Sequence, residues 1–202
     1  MRTFLTQSAA GLRVLLVLTV LTGLVYPLAV WGVSRLPGLD TKAEGSVVQR
    51  NGHPVGSAQI GVDPVAKDPA NDPWFHNRPA ASAEGPLGPA DPSVSGGSNA
   101  GASSPEQIAA VRARKAAIAK REGVVPARVP ADAVTASGSG LDPDISPAYA
   151  ELQVPRVARA TGLSPHRVRE LVAEHTTGRA LGVLGEPAVN VLELNLAMRS
   201  IM

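Results

Sequence analysis

Between Arg13 and Arg35 the chain carries no charged side chain, and inside that gap Val14 to Val33 reads VLLVLTVLTGLVYPLAVWGV. An α-helix of twenty residues rises roughly 30 Å, the thickness of a bilayer's hydrocarbon core. Tyr26 and Trp31 lie toward its C-terminal end, where amphipathic rings favour the headgroup zone. A core helix needs only one apolar stripe, whereas here every helical face is apolar. A cleaved signal peptide is the competing reading. Its apolar region is shorter, about 7–15 residues, and its cleavage site takes small side chains; this run ends in Ala29-Val30-Trp31, with a bulky Trp at that position. The sequence therefore predicts a short tail over 1–13, a retained transmembrane helix over 14–34 and a soluble domain over 37–202.

Orientation does not follow from charge. Arg2 and Arg13 precede the span, while Arg35, Lys42 and Arg50 follow it. Within it, Gly23 and Pro27 are four apart. Pro27 cannot donate to the Gly23 carbonyl, and a small glycine lets another helix approach the weakened turn. The pair reads either as a simple kink or as a docking face for a partner's transmembrane helix.

The soluble part is long enough for one hydrophobic core. A strand is expected at Gly45–Gln49 and a second at Val55–Val62, joined as a hairpin through Asn51-Gly52. From Asp63 to Ser104 periodicity vanishes, and seven prolines and five glycines fall in that stretch. Loops of this length in compact domains are functional or disordered. Trp74 and Phe75 concentrate half of the protein's Trp and half of its Phe there, which predicts an anchored loop. Ser95-Gly96-Gly97-Ser98 then offers a backbone able to approach something closely.

Three helices are announced by Ser-Pro pairs, at Ser104-Pro105, Ser146-Pro147 and Ser164-Pro165. A serine N-cap followed by proline satisfies an orphan N–H and pre-sets φ. The first, with Gln107 completing a capping box, is expected to bury Ile108, Val111 and Ile118, to end at Gly123 and to present Arg112, Arg114, Lys115, Lys120 and Arg121 to solvent. The second is expected to be interrupted at Pro155 and to stop near Gly162. The third should turn Val168, Leu171 and Val172 inward. For Val189 to Met202 periodicity alone does not separate helix from strand; a helix capped by Asn190 is favoured. The expected class is α+β: one N-terminal transmembrane helix, then one mixed domain with a small sheet, a long Gly/Pro-rich loop and several helices.

Chemistry is sparse. The chain has no cysteine, which excludes disulfide scaffolds, thiolate nucleophiles and Cys-based metal sites. Its net charge of +2 argues against a nucleic-acid binder held by phosphate neutralisation. Walker-type and GxGxxG loops are absent. His53, His76, His166 and His175 form no metal-binding pair, and each reads as a surface or loop histidine. Asp142 and Asp144 can chelate a cation, but they equally suit a turn around Pro143 or capping toward Ser146. Neither a catalytic residue nor a metal site emerges. A membrane-anchored extracytoplasmic enzyme or ligand-binding module is the alternative class.

Five ordered blocks narrow the reading. These are Ser95-Gly-Gly-Ser-Asn-Ala-Gly101, Ser137-Gly-Ser-Gly-Leu-Asp-Pro143, Ser146-Pro147, Gln153-Val-Pro-Arg-Val-Ala158 and Gly185-Glu-Pro-Ala-Val-Asn-Val-Leu-Glu-Leu-Asn-Leu-Ala197, behind an anchor containing Thr22-Gly-Leu-Val-Tyr-Pro27. Together they resemble the C subunit of the Kdp potassium-transporting P-type ATPase over essentially the whole chain. The chain departs from that pattern at Arg78-Pro79-Ala80-Ala81, where the family has Arg-Pro-Ser-Ala, and at Ala66–Pro73, which looks like a divergent insertion. The resemblance implies a non-catalytic subunit of a potassium importer, partnered by a channel-like potassium-binding subunit and an ATP-hydrolysing subunit. It implies a catalytic chaperone that raises ATP affinity, with ATP bound through the ATPase subunit and no cofactor of its own. It also implies a cytoplasmic N-terminus and a domain outside the cell membrane. By loose likeness to nucleotide-contacting motifs, Ser95, Gly96, Gly97, Ser98 and Gln153 are candidates for nucleotide contact. Gly23, Pro27, Asp142 and Asp144 are candidates for partner contact. An external domain fits direct ATP contact poorly and fits docking beside the ion entrance better.

Overall fold

The computed structural model describes residues 2–202, which divide into two units, one ending at Ser46 and one spanning Val47–Met202. In the first, α1 (Arg2–Val20) and α2 (Tyr26–Ser34) are joined by a π-helical turn, Leu21–Val25, into one helical run. Thr3–Ser34 spans 32 residues and contains an 18-residue stretch of mean hydropathy 2.2 that is not buried by protein; it is long and apolar enough to cross a membrane. The π turn has a local cause. Pro27 has no N–H to give Gly23, and its ring crowds that carbonyl. The preceding turn widens, and Tyr26 N–H donates to Leu21 O, five residues back. Thr22 Oγ1 also donates to Leu18 O at 2.8 Å. After α3 (Asp40–Ala43), Arg35 pairs with Glu44 at 2.7 Å.

The second unit begins with the expected hairpin, β1 (Val47–Arg50) against β2 (His53–Ser57). Asn51 at φ 51° and Gly52 at φ 78° form its tight turn. The second strand starts and stops earlier than Val55–Val62. Gly61 instead donates to Leu141 O at 2.8 Å, pulling the chain away from β1.

All three Ser-Pro signals mark helix starts. In α4 (Pro105–Glu122), α6 (Pro147–Thr161) and α7 (Pro165–Glu174) the serine hydroxyl accepts from the N–H three residues on. Between α4 and α6 lie the single turn α5 (Ala131–Val134) and strand β3 (Asp144–Ile145). Gly123 and Gly162, both left-handed, close α4 and α6. Pro155 does not interrupt α6. Pro155 and Glu151, whose carbonyl it leaves without a donor, both lie on the exposed face, where that carbonyl is open to solvent. Beyond α7, β4 (Thr176–Thr177) and β5 (Ala188–Asn190) join β3 in an antiparallel sheet ordered β3-β5-β4. The chain ends in α8 (Val191–Ile201), capped by Asn190 as expected.

The core gathers Ile118, Tyr149, Val154, Val157, Val168, Leu171, Leu194 and Met198 with Phe75 from the long loop. The loop is thus anchored where its aromatics concentrate, and its one regular piece is the 3₁₀ turn Pro69–Asn71. Three expectations for α4 fail. Ile108, near the free end of the helix, is 40% exposed; Arg114 is half-buried and donates to the Val134 carbonyl at 3.3 Å; and Arg121 turns inward toward buried hydrogen-bond partners.

Candidate functional site

The polar chemistry of the domain is concentrated where the long loop crosses α4, α6 and α8. Phe75, His76 and Asn77 have no strand beside them, so their backbone polar groups need other partners. Asn195 of α8 takes Phe75, accepting its N–H at 2.9 Å and donating to its carbonyl at 2.8 Å. Gln153 of α6 takes His76 in the same way, at 2.9 and 3.2 Å. Asp63 accepts the Asn77 N–H at 2.7 Å. Two amides and a carboxylate thus replace a neighbouring strand.

Arg156, one turn after Gln153, holds the arrangement from below. Its Nη1 donates to the Asp72 and Trp74 carbonyls at 2.8 and 2.9 Å, and its Nη2 to Gln153 Oε1 at 2.9 Å. Its Nε meets both oxygens of Glu122, at 3.2 and 3.0 Å. Glu122 also accepts from Arg121 at 2.6 Å, and Arg121 donates to the Tyr149 hydroxyl at 2.9 Å. Glu122 and Arg156 are buried, so this pairing neutralises charges that water cannot reach. Burial pushes the Tyr149 phenol up despite the Arg121 guanidinium beside it.

His76 is a loop residue, as expected, but it is turned inward and not out to solvent. Its ring lies largely buried, with Nε2 2.6 Å from Asp72 Oδ2 and Nδ1 3.7 Å from Asp63. Burial alone raises the Asp72 carboxyl, but the His76 hydrogen bond and charge, the Trp74 N–H and Arg156 together hold it below the usual carboxylate range. An open cleft of about 590 Å³ borders the cluster, with the exposed cations Lys120 and Arg159 among its lining residues. Among the described residues no cluster of three His, Asp or Glu side chains is arranged to hold a metal ion.

The structure separates the residues proposed for nucleotide contact. Gln153 is completely buried and committed to His76 and Arg156. Ser95, Gly96 and Ser98 are exposed, in a loop docked on Ser137–Gly140. Gly96 N–H donates to Ser139 O at 2.7 Å, and Ser95 Oγ donates to the same oxygen at 3.1 Å. A Cβ on Gly97 would sit 2.9 Å from Gly138 O, so close backbone approach is what its lack of a side chain serves. The docking partner is another segment of the same chain.

Asp142 and Asp144 are brought together, in the turn expected around Pro143. Asp142 Oδ1 accepts the Asp144 N–H at 3.1 Å, and Oδ2 accepts from Arg78 at 3.1 Å. Burial, then the Asp142 charge, raise the Asp144 carboxyl above its ordinary value, with Glu193 adding to this against the Asn190 hydrogen bond. At Gly23 an added Cβ would meet nothing within 4 Å, so that side of the apolar helix is open.

Asn195, Glu122, Arg156, Asp72 and Asp63 carry the network but were not singled out by sequence. Asn195, a lone amide among the leucines of α8, is the one that the sequence marks visibly.

An N-terminal helix long and apolar enough to cross a membrane, followed by an α+β domain whose buried polar groups hold its own long loop, defines the class of protein. The family model described as KdpC, the K+-transporting ATPase c chain, matches residues 8–200. The chain is 53% identical over 196 residues to a potassium-transporting ATPase KdpC subunit of Kineococcus radiotolerans, covering 97% of this chain and 94% of that protein. It is 49% identical over 222 residues to the same subunit of Streptomyces coelicolor, at 98% and 96% coverage. It is 47% identical over 194 residues to that of Mycobacterium tuberculosis H37Rv, at 95% and 97% coverage. The chain belongs to the KdpC family.

Proposed function

We propose that this chain is an accessory subunit of an ATP-driven potassium importer. It assists assembly and acts as a catalytic chaperone that raises the ATP affinity of the hydrolysing subunit. The observation that carries the reading is the family match running through anchor and domain together, from residue 8 to residue 200. The inward-turned polar network supports action through contacts, because its groups are committed to the chain's own backbone.

In this reading the helix over 14–34 spans the membrane, the N-terminus is cytoplasmic and the domain over 37–202 lies outside. The channel-like and ATP-hydrolysing subunits are its partners, and ATP and potassium belong to the complex. Gly23 and Pro27 form the helix face that meets a partner helix; Asp142 and Asp144 lie near the docking surface of the domain. Any influence of Gln153 or of Ser95–Ser98 on ATP is transmitted through the fold. A subunit changes ATP affinity only by binding the pump's conformational states unequally.

The test is a pull-down of the tagged full-length chain from membranes in mild detergent, with companions identified by mass. Recovery of a P-type ATPase and a polytopic channel-like protein in fixed ratio is expected; a chain recovered alone would sink the reading. Protease treatment of inside-out vesicles checks topology: the domain should be protected, and digestion there rejects external placement.

A further inference from the structure

The π turn in the apolar helix leaves one backbone oxygen without a helical donor. In an α register the Thr22 carbonyl would receive the N–H four residues on, that of Tyr26. Tyr26 gives its N–H to Leu21 O instead. In a π register the donor would come from five residues on, and that residue is Pro27, which has no N–H. Both routes along the helix are closed to this oxygen.

Depth makes the deficit costly. The uncharged run Val14 to Val33 is centred on Gly23 and Leu24, so Thr22 stands beside its middle. Arg13 lies nine residues away and Arg35 thirteen, roughly 13 and 20 Å along a helix. In hydrocarbon no water reaches such a carbonyl, and protein has to satisfy it. The chain's own side chains do not. The Thr22 hydroxyl spends its proton on Leu18 O at 2.8 Å. Thr19 leans toward the N-terminus, as helical side chains do, whereas the carbonyl points the other way. The Tyr26 hydroxyl stands at the far end of a rigid ring, and Trp31 lies more than two turns further on.

The oxygen is also approachable. It belongs to the peptide joining Thr22 to Gly23, where glycine contributes no side chain and an added Cβ would meet nothing within 4 Å. Another helix can come close at such a position. What that helix has to bring is a hydroxyl or amide, because a full charge at mid-membrane is far more costly. Polar side chains within a span mark ion pathways. Of the companions in the proposed complex, the channel-like subunit is the one whose handling of potassium requires such groups at this depth.

We infer that the Thr22 carbonyl accepts a hydrogen bond from a hydroxyl or amide side chain on a transmembrane helix of the channel-like subunit, packed against the bare Thr22–Gly23 peptide. This rests on the reading of the chain as a membrane-spanning subunit of the importer. The test labels threonine carbonyls with 13C and glycine nitrogens with 15N in the tagged full-length chain. Thr-Gly pairs at 22–23, 161–162 and 177–178 then report, and Thr22→Ser removes the first signal and so assigns it. Solid-state NMR compares the chain alone in lipid nanodiscs with the chain recovered in its complex. The Thr22 carbonyl signal should move downfield on assembly, as an acceptor does when it gains a donor. Pro27→Ala returns an N–H to the turn, so its Thr22 signal should lie downfield in the chain alone. A parent signal unmoved by assembly, or one that Pro27→Ala leaves in place, overturns the bond while the subunit reading stands. Failure of the parent chain to recover companions removes both.

The partner is read separately. A photoreactive benzoylphenylalanine in place of Thr19, one turn before Thr22 on the same face, is crosslinked in the assembled complex and the adduct identified by mass. An adduct with the channel-like subunit supports the assignment. An adduct with the ATP-hydrolysing subunit, with a second copy of this chain or with lipid alone overturns it.

Discussion

Gln153 on α6 and His76 in the long loop exchange two hydrogen bonds, at 2.9 and 3.2 Å, so a single side-chain amide does the work of a neighbouring strand. Gln153→Ala leaves the His76 N–H and carbonyl and the Arg156 Nη2 without that partner, in a place closed to water. Each buried group left unsatisfied costs about 1–3 kcal/mol. We expect a loss of roughly 2–4 kcal/mol in denaturant unfolding. Asn195→Ala, removing the second clamp, should behave alike. A change below about 1 kcal/mol for either variant would show that the loop does not depend on its clamp.

Among the described residues Glu122 is the only carboxylate whose oxygens reach the Arg156 Nε, and both residues are buried. Glu122→Gln therefore leaves a buried guanidinium under-compensated, a change that costs about 3–5 kcal/mol when a pair is broken from one side. The residual Asp72 interaction with Arg156, at 3.7 Å, softens this. Replacing both partners, Glu122→Leu with Arg156→Leu, should cost less than the two single changes summed. A double-mutant cycle in urea measures it, and strict additivity refutes the coupling.

The acid limb of the stability curve should report Asp72. Its folded-state pKa is depressed below that of a free aspartate, so its contribution is fully present above the free value and fades as pH falls through the depressed one. Asp72→Asn should flatten unfolding in that acid window. Asp144 has the opposite sign. Its raised folded-state pKa means that the charged form is disfavoured in the fold, and stability attributable to it falls as pH rises from 3.8 through the raised value. Asp144→Asn should raise the melting temperature at neutral pH while Asp72→Asn lowers it. Shifts of the same sign for both would contradict the two environments.

What the sequence made legible was local. Ser-Pro caps, terminal glycines and the Asn51-Gly52 turn are chemical signals within a few residues, and each marked its element correctly. The apolar helix declared itself because a bilayer-spanning run needs no partner to be recognised. The network was hidden because its members come from four distant segments. Asp72 and His76 sit four apart, yet what buries them is α6, some eighty residues on, and nothing in the loop's own spacing announces it. Arg121 misled for the same reason: on a helix rich in solvated cations, only the position of Tyr149 turns this one inward. Pro155 misled in another way, since its cost depends on whether the freed carbonyl faces water. Gln153 was marked by resemblance, but its burial came only from packing.

The glycines of the Ser95–Ser98 loop should differ in tolerance. A Cβ on Gly97 would press on Gly138 O at 2.9 Å, and one on Gly61 on Asp142 O, whereas one on Gly96 meets nothing within 4 Å. Gly97→Ala and Gly61→Ala should therefore cost about 1–3 kcal/mol through forced backbone shifts. Gly96→Ala should stay within about 0.5 kcal/mol of the parent. If the loop instead serves a ligand by close approach, Gly96→Ala will impair function at unchanged stability. Comparing melting temperature with pump activity for the three variants distinguishes these cases.

Gly23→Leu tests the helix face. Within the chain, a Cβ at Gly23 meets nothing, so the variant should insert and migrate as the parent does, with the domain's melting temperature unchanged. The π turn around it should persist, because its cause is Pro27, not Gly23. Interhelical contact is another matter, since packing between helices in lipid depends on small residues that let backbones approach. A leucine there holds a partner helix away, and co-purification of companion subunits should fall severalfold. Pro27→Ala offers the complementary case: it restores the missing donor, converts the π turn to regular α-helix and rotates the residues beyond it relative to those before. Loss of assembly with both variants would assign the contact to the turn as a unit. Loss with Gly23→Leu alone would assign it to close approach at Gly23, and parent-like recovery with both would leave the turn as a kink without a partner.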